Sequence, residues 1–390
     1  MRVARIITRL NIGGPSIQAV TLSERLSARG VDTLLIHGAL GAGEGDMQYL
    51  LSDRRVRTQH LESLRRPVAP AYDVVALATL YRALCRFRPS IVHTHMAKAG
   101  SLGRLAAVAY NRTVGRRAPA RVVHTYHGHV LDGYFTAGAT RLFTAAERRL
   151  AKATDAIVAI SPQIERELLD EHRIGTAAQY RVIPLGFDLS PLAALTDADR
   201  RMARTALAIP DEARVVSTVG RLTAIKQHRL FLDAAARVAA RDSRVLFLVA
   251  GDGELRGEME RAARELGIHD RTRFLGWRRD LSAIYGATDV FLLTSRNEGT
   301  PVALIESLAA GVPGVSTDVG GVRDVLSGPD VGRLAPFGDA QALADAVVAL
   351  LDSPDERRAM GARGRQSVIH RYGIDRLVDD VHRLYRDLQG

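Results

Sequence analysis

Residues 214–251 read RVVSTVGRLTAIKQHRLFLDAAARVAARDSRVLFLVAG, and this stretch decides the fold. Its two ends, 214–220 and 244–251, are short runs rich in β-branched and aromatic residues that are apolar on both faces, and a helical pattern separates them. Strands of this kind that alternate with helices are typical of parallel sheets covered by helices. The stretch therefore predicts a β-α-β unit of an α/β protein.

The same alternation extends along the chain in two series of strands. The first series runs from residue 3 to residue 186 and the second from residue 214 to residue 317. Each has the length of one doubly wound domain, and residues 190–213 between them contain two prolines and no strand pattern. We expect two Rossmann-like domains joined by this stretch, with ligands in a cleft that the carboxyl ends of both sheets face.

The composition excludes several classes of protein. Over 390 residues, 46% hydrophobic and 25% charged side chains are ordinary for a globular protein, which excludes intrinsic disorder. The single cysteine, Cys85, permits neither an internal disulfide nor a cysteine-based zinc site. The N-terminal stretch lacks the pattern of a signal peptide, and no apolar run approaches the roughly 18 residues needed to cross a bilayer. We therefore expect a cytoplasmic protein.

The formal net charge of +11 falls entirely on residues 1–190, because residues 191–390 carry equal numbers of acidic and basic side chains. This asymmetry suggests an anionic partner, with nucleic acid, a phospholipid surface and a phosphorylated small molecule as candidates. The alternative is that the arginines are only solvated surface residues. Neither an RNA-binding aromatic signature nor a helix-turn-helix pattern accompanies the charge, so nucleic acid is not expected as a partner.

Residues 296–306 form the most informative motif, RNEGTPVALIE. Glu298 lies in the loop beyond a buried strand, a helix is expected to begin at Thr300, and Glu306 lies within that helix. Free N–H groups at a helix N-terminus bind phosphate, and the two oxygens of a carboxylate suit neighbouring hydroxyls such as a ribose diol. The alternative is that Glu298 only stabilises the helix start and that Glu306 is solvated on the outer face of the helix.

Two further loops each follow the first strand of an expected domain. In the second domain, Arg221 and Lys226 lie beyond a strand end, where they are placed to neutralise a diphosphate. In the first domain, Gly13 and Gly14 form a turn whose backbone is suited to contact phosphate or sugar, although paired glycines also occur wherever a turn needs a positive φ. Neither a P-loop nor a dinucleotide-binding fingerprint is present.

Five histidines lie at the ends of two expected strands: His93, His95, His124, His127 and His129. Their spacing suggests a zinc site. Against this, alternate side chains of a strand point to opposite faces, and neither a cysteine nor a His-Glu-x-x-His helix is nearby, so no metal is expected. His127 is the best candidate for an imidazole that faces a ligand, and the others are expected to be partly buried and hydrogen-bonded.

In their order and spacing these motifs resemble those of the family 4 retaining glycosyltransferases (glycosyltransferases group 1). Residues 183–188 and 289–295 add to the resemblance, which runs from the Gly13-Gly14 loop to the last helix. It implies an α/β protein of the GT-B fold, with two Rossmann-like doubly wound domains facing a central cleft. The implied parts are an acceptor-side domain at 1–190, a nucleotide-sugar-binding domain at 191–372, and a C-terminal helix at 373–390 that crosses back to the first domain.

The resemblance implies a metal-independent hexosyltransferase that uses no cofactor. A hexosyl or N-acetylhexosaminyl group would pass, with retention, from a nucleotide sugar to a hydroxyl of a glycan, a lipid-linked acceptor or a small metabolite. A UDP-sugar is the favoured donor, because the Glu-Gly-Thr-Pro variant of the motif is similar to that of members that use UDP-hexoses, and GDP-mannose is the alternative.

The resemblance also implies the roles of individual residues. The catalytic residues would be Glu298, His127, Arg221 and Lys226. Arg221 and Lys226 would hold the diphosphate, Glu306 the ribose hydroxyls and His127 the donor sugar. The implied donor-binding residues are Gly13, Gly14, Arg221, Lys226, Arg278, Glu298, Gly299, Thr300, Pro301, Val302, Leu304 and Glu306.

Two positions depart from the pattern of the family. Leu185 stands where asparagine is frequent, and Asp324 stands where glutamate is usual, which leaves the contacts to the sugar hydroxyls open. Two alternatives to a transferase remain at this point. A sugar-nucleotide 2-epimerase shares the two-domain architecture, and a non-enzymatic nucleic-acid-binding protein is motivated by the positive charge.

A helix is expected to open at Tyr134 and to carry one apolar and one basic face. Together with nearby arginines it suggests peripheral contact with the anionic inner face of a membrane, in which Tyr134, Phe135 and Leu142 enter the interface. The alternative is that the apolar face packs on the sheet while the arginines are solvated. The expected apolar face consists of Phe143, Ala146, Leu150 and Ala153, the basic face of Arg141, Arg148 and Lys152, and the nearby arginines are Arg104, Arg112, Arg116 and Arg117.

Overall fold

The structure, a computed structural model, describes residues 1–11, 14–41, 51, 56–128 and 137–390. Its contacts divide the chain into two compact units. The first unit comprises Met1–Gly186 and Ile374–Gly390, and the second comprises Phe187–Gly373. Each unit contains one parallel sheet packed against helices, which confirms the two-domain α/β architecture.

The first unit is built on a seven-stranded parallel sheet. Its strands are β1 (Arg2–Ile7), β2 (Asp32–Gly38), β3 (Thr58–Leu61), β4 (Ile91–His95), β5 (Arg121–Tyr126), β6 (Ala156–Ala159) and β7 (Tyr180–Val182). They pair in the order β3-β2-β1-β4-β5-β6-β7, and each neighbouring pair is parallel. The described helices between them are α1 (Gly14–Ala28), α2 (Pro70–Phe87), α3 (Ala97–Arg112), α4 (Ala137–Ala151) and α5 (Pro162–Arg166), which continues as a π-helix over Glu167–Glu171.

The second unit is built on a six-stranded parallel sheet. Its strands are β8 (Arg214–Val219), β9 (Val245–Ala250), β10 (Thr272–Gly276), β11 (Val290–Leu293), β12 (Gly314–Thr317) and β13 (Gly332–Ala335), in the order β10-β9-β8-β11-β12-β13. The order reverses between β8 and β11, as in doubly wound nucleotide-binding sheets. The helices are α6 (Ser190–Ala193), α7 (Asp197–Ala206), α8 (His228–Arg241), α9 (Arg256–Glu265), α10 (Leu281–Ala287), α11 (Val302–Ala309), α12 (Val322–Val325), α13 (Ala340–Asp352) and α14 (Pro354–Tyr372).

The last helix, α15 (Ile374–Asp387), belongs to the first unit. Its apolar residues form a cluster with residues of α1 and of the strands, among them Val3 and Leu22. Leu377 and Tyr385 are fully buried there. The apolar stripe of α15 therefore completes the core of the N-terminal sheet.

The starts of α5 and α11 are capped differently. Ser161 accepts a hydrogen bond from the Ile164 amide at 3.2 Å and caps α5, with Pro162 as the first helical residue. At α11 the prediction that a helix begins at Thr300 is wrong, because the first helical residue is Val302 and Pro301 is the N-cap without a side-chain cap. The loop that carries Glu298 is therefore longer than the sequence suggests.

The prediction of which residues form the apolar face of α4 is also wrong. Ala146 is exposed, whereas Glu147 and Ala151 are buried. Glu147 is buried because its carboxylate accepts hydrogen bonds from the Arg104 guanidinium at 2.6 and 2.7 Å and from the Tyr126 hydroxyl at 2.5 Å. Arg104 is 0% exposed and so does not belong to a basic surface. Tyr134 and Phe135 lie outside the described residues.

Candidate functional site

In the second unit, the candidate motifs all follow the carboxyl ends of neighbouring strands. The Arg221–Lys226 loop follows β8, the Glu298 loop follows β11, and a glycine pair at 320–321 follows β12. Because all six strands run parallel, these loops share one edge of the sheet. This edge, at the point where the strand order reverses, is where ligands bind in open α/β sheets.

Lys226 and Glu298 form an ion pair at this edge. The Lys226 Nζ atom donates to Glu298 Oε1 at 2.6 Å, and the Ser295 hydroxyl donates to the same oxygen at 2.6 Å. Glu298 is 8% exposed and Lys226 is partly exposed. An ammonium group has three N–H bonds, so one contact with Glu298 leaves two for an anionic ligand. The pair thus fixes the position of the cation without using up its donors.

The Gly320-Gly321 pair closes tightly against the Glu298 loop. The Gly321 amide donates to the Glu298 carbonyl at 2.8 Å. Gly320 has a φ of 49°, and a Cβ atom at either glycine would collide with the backbone oxygen of Glu298 or Gly299. Only glycine permits this approach. The β12–α12 loop therefore holds the backbone of the Glu-Gly-Thr-Pro segment in place.

The amides at the start of α11 are only partly available to a ligand. The Val302 amide donates to the Thr300 carbonyl at 2.9 Å, and the Leu304 amide donates to the Pro301 carbonyl at 3.1 Å. Pro301 has no N–H group. Of the backbone amides that the resemblance assigns to donor binding, those of Gly299 and Thr300 make no backbone hydrogen bond within the described residues.

Glu306 lies on α11 in a different environment from Glu298. Its Oε2 atom accepts a hydrogen bond from the buried Tyr285 hydroxyl at 3.0 Å. Although part of the side chain is exposed, burial of the carboxyl group raises its pKa from 4.5 to about 7, and the Tyr285 hydroxyl offsets only part of that rise. The alternative of a carboxylate solvated on the outer helix face is therefore not what the structure contains.

Arg221 lies in a loop whose backbone is held by neighbouring turns. His228 Nε2 donates to the Arg221 carbonyl at 3.1 Å, and burial lowers the pKa of His228 to about 4, so this ring is neutral. Gly251 packs so closely on the Gly220 carbonyl that a side chain would clash. The Arg221 side chain itself is exposed at the surface. Arg278, by contrast, is engaged by Asp280 through both ends of its guanidinium group.

In the first unit, the structure describes Gly14 and His127 but not Gly13. Gly14 is the first residue of α1 and is partly exposed. His127 follows the last residue of β5, and its Nε2 atom lies 2.9 Å from His95 Nδ1. Burial lowers the pKa of His127 to about 3, so the imidazole is neutral at physiological pH.

No group of three or more His, Cys, Asp or Glu residues in the described ranges could hold a metal ion. His129 lies outside those ranges. Among the helices that the structure describes, none is long and apolar enough to cross a membrane.

Two family models match the chain. The model described as Glycosyltransferase Family 4 matches residues 12–191, and that described as Glycosyl transferases group 1 matches residues 199–367. The D-inositol 3-phosphate glycosyltransferase of Corynebacterium urealyticum is 30% identical over 312 residues, which cover 76% of this chain and 71% of that protein. The chain is a family 4 glycosyltransferase.

Other relatives of this glycosyltransferase agree with the family and the fold. The UDP-Gal:alpha-D-GlcNAc-diphosphoundecaprenol alpha-1,3-galactosyltransferase of Escherichia coli is 29% identical over 342 residues, covering 86% of this chain and 85% of that protein. The crystal structure of Anabaena Alr3699/HepE in complex with UDP has a TM-score of 0.83 at 19% identity and covers 99% of this chain and 100% of that chain. The structural likeness confirms the GT-B fold.

The structure of the glycosyltransferase brings Lys226 and Glu298 into direct contact and places Glu306 on the helix that follows. Their assignment to donor binding stays a prediction. The contacts of Ser295 with Glu298 and of Tyr285 with Glu306 were not expected from the sequence. In the sequence, the adjacent glycines at 320–321, which follow a strand in a turn, are the one signal that a neighbouring loop supports the Glu298 motif.

Proposed function

We propose that the protein transfers a hexosyl or N-acetylhexosaminyl group from a UDP-sugar to a hydroxyl of a lipid-linked acceptor, with retention at the anomeric carbon and without a metal. The observation that carries the proposal is the Lys226–Glu298 ion pair at the carboxyl edge of the sheet, in which Lys226 lies in the same loop as Arg221. The name of the Escherichia coli relative supports a UDP-sugar donor and a diphosphoundecaprenol acceptor. The Anabaena structures with UDP and with UDP-glucose support the same donor class.

The leaving group decides the charge that the site must stabilise. A departing UDP gains negative charge on its terminal phosphate, and fixed cations and amides stabilise such charge when they are already in position. Lys226 is held by Glu298, and the backbone around Arg221 is held by close contact with its neighbours. These groups can therefore serve the role that a divalent cation has in other nucleotide-sugar sites.

The proposed reaction takes place on one face of the sugar. The bond from the anomeric carbon to the diphosphate oxygen breaks, and a bond from that carbon to the acceptor oxygen forms on the same face. The proton of the acceptor hydroxyl passes to the departing diphosphate oxygen. In this scheme Glu306 binds the ribose hydroxyls and Glu298, through Lys226, orients the diphosphate.

Peripheral contact with an anionic membrane forms the second part of the proposal. On α4, Leu142 is 75% exposed, and Arg141 and Arg148 are exposed, as is Lys152 directly after the end of the helix. An exposed leucine among cations suits a surface of anionic lipid, where each basic residue contributes about 1 kcal/mol. A lipid-linked acceptor would be presented at the same surface.

The experiment that tests the proposed function is a matrix of donors and acceptors. UDP-glucose, UDP-galactose, UDP-N-acetylglucosamine and GDP-mannose are each incubated with a polyprenyl-diphosphate-linked sugar, with inositol phosphate and without acceptor. We expect release of UDP only when a UDP-sugar and the lipid-linked acceptor are both present, an anomeric configuration in the product equal to that of the donor, and unchanged rates in EDTA. Conversion of the sugar without release of nucleoside diphosphate would instead indicate an epimerase.

A further inference from the structure

The carboxyl ends of β4 and β5 bring four histidines together in the first unit, of which His93, His95 and His124 are buried and His127 is half-buried. They differ in how their ring nitrogens are used. His93 has partners on both nitrogens, since Nδ1 lies 2.5 Å from the Tyr385 hydroxyl and Nε2 lies 2.7 Å from the Thr125 hydroxyl. His124 Nδ1 lies 2.8 Å from the Thr94 hydroxyl. These contacts explain both rings as parts of the core.

His95 and His127 are not explained in this way. Their rings share one hydrogen bond, between Nδ1 of His95 and Nε2 of His127, at 2.9 Å. The remaining nitrogens, His95 Nε2 and His127 Nδ1, are buried, and within the described residues neither has a hydrogen-bond partner. A buried polar atom without a partner is unfavourable and rare in native proteins, so each such atom needs an explanation.

The orientation of the His95 ring is supported by the neighbouring His93 ring. The His93 ring stacks on it with centroids 4.3 Å apart and an interplanar angle of 30°. His93 is in turn held by Tyr385 of α15, whose hydroxyl accepts a hydrogen bond from the Arg5 guanidinium at 2.9 Å. His95 is thus rigidly placed, and through its single hydrogen bond it determines the orientation of the imidazole at the end of β5.

The protonation of the pair defines the chemistry that it offers. Burial lowers the pKa of both rings below the ordinary value, so each is neutral and carries one N–H and one lone pair. One N–H is consumed between the rings. If His95 donates the shared hydrogen bond, the proton of His127 is on Nδ1, which is then a donor. If His127 donates it from Nε2, its Nδ1 has the lone pair and is an acceptor. A hydroxyl satisfies either state, because it donates and accepts, whereas a phosphate oxygen only accepts.

We propose that His95 is a positioning residue that holds the His127 ring so that Nδ1 meets a sugar hydroxyl of a substrate, and not a phosphate. The inference rests on the proposed function, a sugar transfer, and on the contact of His127 with a sugar that the family resemblance implies. The hydroxyl belongs either to the donor sugar or to the acceptor sugar. Both offer the same chemistry, and the loop beyond a parallel strand's carboxyl end is where either would be bound.

Three variants test the role of His95. The amide of asparagine places a polar atom where His95 has Nδ1, whereas leucine removes it, so His95→Leu should lower kcat/KM about 10- to 100-fold and His95→Asn should restore it to within about 3-fold. In the double variant His95→Leu/His127→Ala, the loss should be no greater than in His127→Ala alone, because positioning acts only through His127. His124→Leu is the matched control, which removes another buried imidazole and should lower stability without lowering kcat of the folded enzyme.

Two further readouts separate the inference from the proposed function. In ligand-free protein labelled with nitrogen-15 histidine, His127 should show one tautomer in the wild type and a mixture in His95→Leu, whatever reaction the enzyme performs. With a deoxy analogue that lacks the contacted hydroxyl, wild type and His127→Ala should have the same kcat/KM. If a deoxy donor has this effect, the hydroxyl belongs to the donor sugar, and if a deoxy acceptor has it, the hydroxyl belongs to the acceptor sugar. Multiplicative losses in the double variant, or no rescue by asparagine, would overturn the proposal.

Discussion

Replacing Glu306 by glutamine should stabilise the ligand-free second unit at pH 8 and, at the same time, weaken binding of UDP. Burial raises the pKa of this carboxyl group from 4.5 to about 7, so the folded protein favours its neutral form. Above pH 7 the wild type must fold with a charged carboxylate in an environment that disfavours charge. Glutamine has nearly the same shape, can still accept the hydrogen bond of the Tyr285 hydroxyl, and carries no charge.

The size and the sign of this effect follow from proton linkage. A carboxyl group whose pKa is higher in the folded than in the unfolded state destabilises the fold as the pH rises through the interval between the two values. That interval runs from 4.5 to about 7. Each tenfold difference in proton affinity corresponds to about 1.4 kcal/mol, so the full penalty is about 3 kcal/mol above pH 7 and vanishes below about pH 4.5. Glu306→Gln removes that penalty.

Urea unfolding at pH 5 and pH 8 measures the effect, with the fluorescence of Trp277 as the signal. Trp277 is the only tryptophan of the chain and lies in the same unit as Glu306. We expect the free energy of unfolding of Glu306→Gln to exceed that of the wild type by about 3 kcal/mol at pH 8 and by much less at pH 5. The exposed Glu258, changed to glutamine, should alter stability by less than about 0.5 kcal/mol at both values. An advantage of Glu306→Gln that is equal at the two pH values would refute the reasoning.

The same variant tests the contact with ribose. A carboxylate that accepts hydrogen bonds from two hydroxyls contributes as a charged acceptor, and its loss should weaken UDP binding at pH 8 by about 1.5 to 3 kcal/mol. Titration calorimetry with UDP measures this directly. Unchanged affinity for UDP together with the expected gain in stability would place the ribose elsewhere and leave the electrostatic argument intact.

Three more outcomes are expected. Lys226→Ala should weaken UDP binding by about 1.5 to 3 kcal/mol, measured by calorimetry, whereas the exposed Lys152→Ala should match the wild type. Glu147→Ala leaves Arg104 buried without its carboxylate and should lower the unfolding free energy of the first unit by about 3 to 5 kcal/mol; a loss below about 1 kcal/mol contradicts the importance of the pair. The enzyme should co-sediment with phosphatidylglycerol vesicles at low salt but not with neutral lipid, and Leu142→Asp should reduce binding; equal recovery in both supernatants contradicts the membrane contact.

The sequence predicts the interior strands of both sheets but not all of their edges. Interior strands such as β9 are continuous apolar runs because both faces are covered. The edge strands β3 and β13 are four residues each, TQHL and GRLA, and are partly exposed. Runs so short and polar carry no periodicity, and they become strands only because a neighbouring strand offers its hydrogen-bonding edge.

Periodicity fails on α4 for a different reason. The helix buries Glu147, which an amphipathic pattern assigns to the solvent side. Its partner, Arg104, is 43 residues away in the chain, and the two satisfy each other in the core. A buried ion pair of this kind leaves no local signal, because each residue taken alone is typical of a surface.

At the site, the sequence identifies the residues that carry charge but not those that position them. Glu298, Lys226 and Glu306 stand out because they lie beyond strand ends in a motif. Ser295 and Tyr285, which hydrogen-bond the two glutamates, do not stand out, because a serine at a strand end and a tyrosine in a short helix have many ordinary roles. Supporting contacts of this kind depend on tertiary packing and emerge only from coordinates.

The two glutamates of the motif differ in their surroundings, and the difference points to different tasks. Glu298 is paired with a cation and a hydroxyl, so its charge is compensated before any ligand arrives. Glu306 has only the Tyr285 hydroxyl, and no cation among the described residues pairs with it. With a pKa of about 7, it changes protonation near physiological pH and can either donate to or accept from a ribose hydroxyl. When the surroundings give two carboxyl groups different charges and pKa values, the two groups are suited to different roles. Glu298 is therefore suited to hold the cation proposed to meet the diphosphate, and Glu306 to hold a neutral, hydroxyl-bearing part of the same ligand.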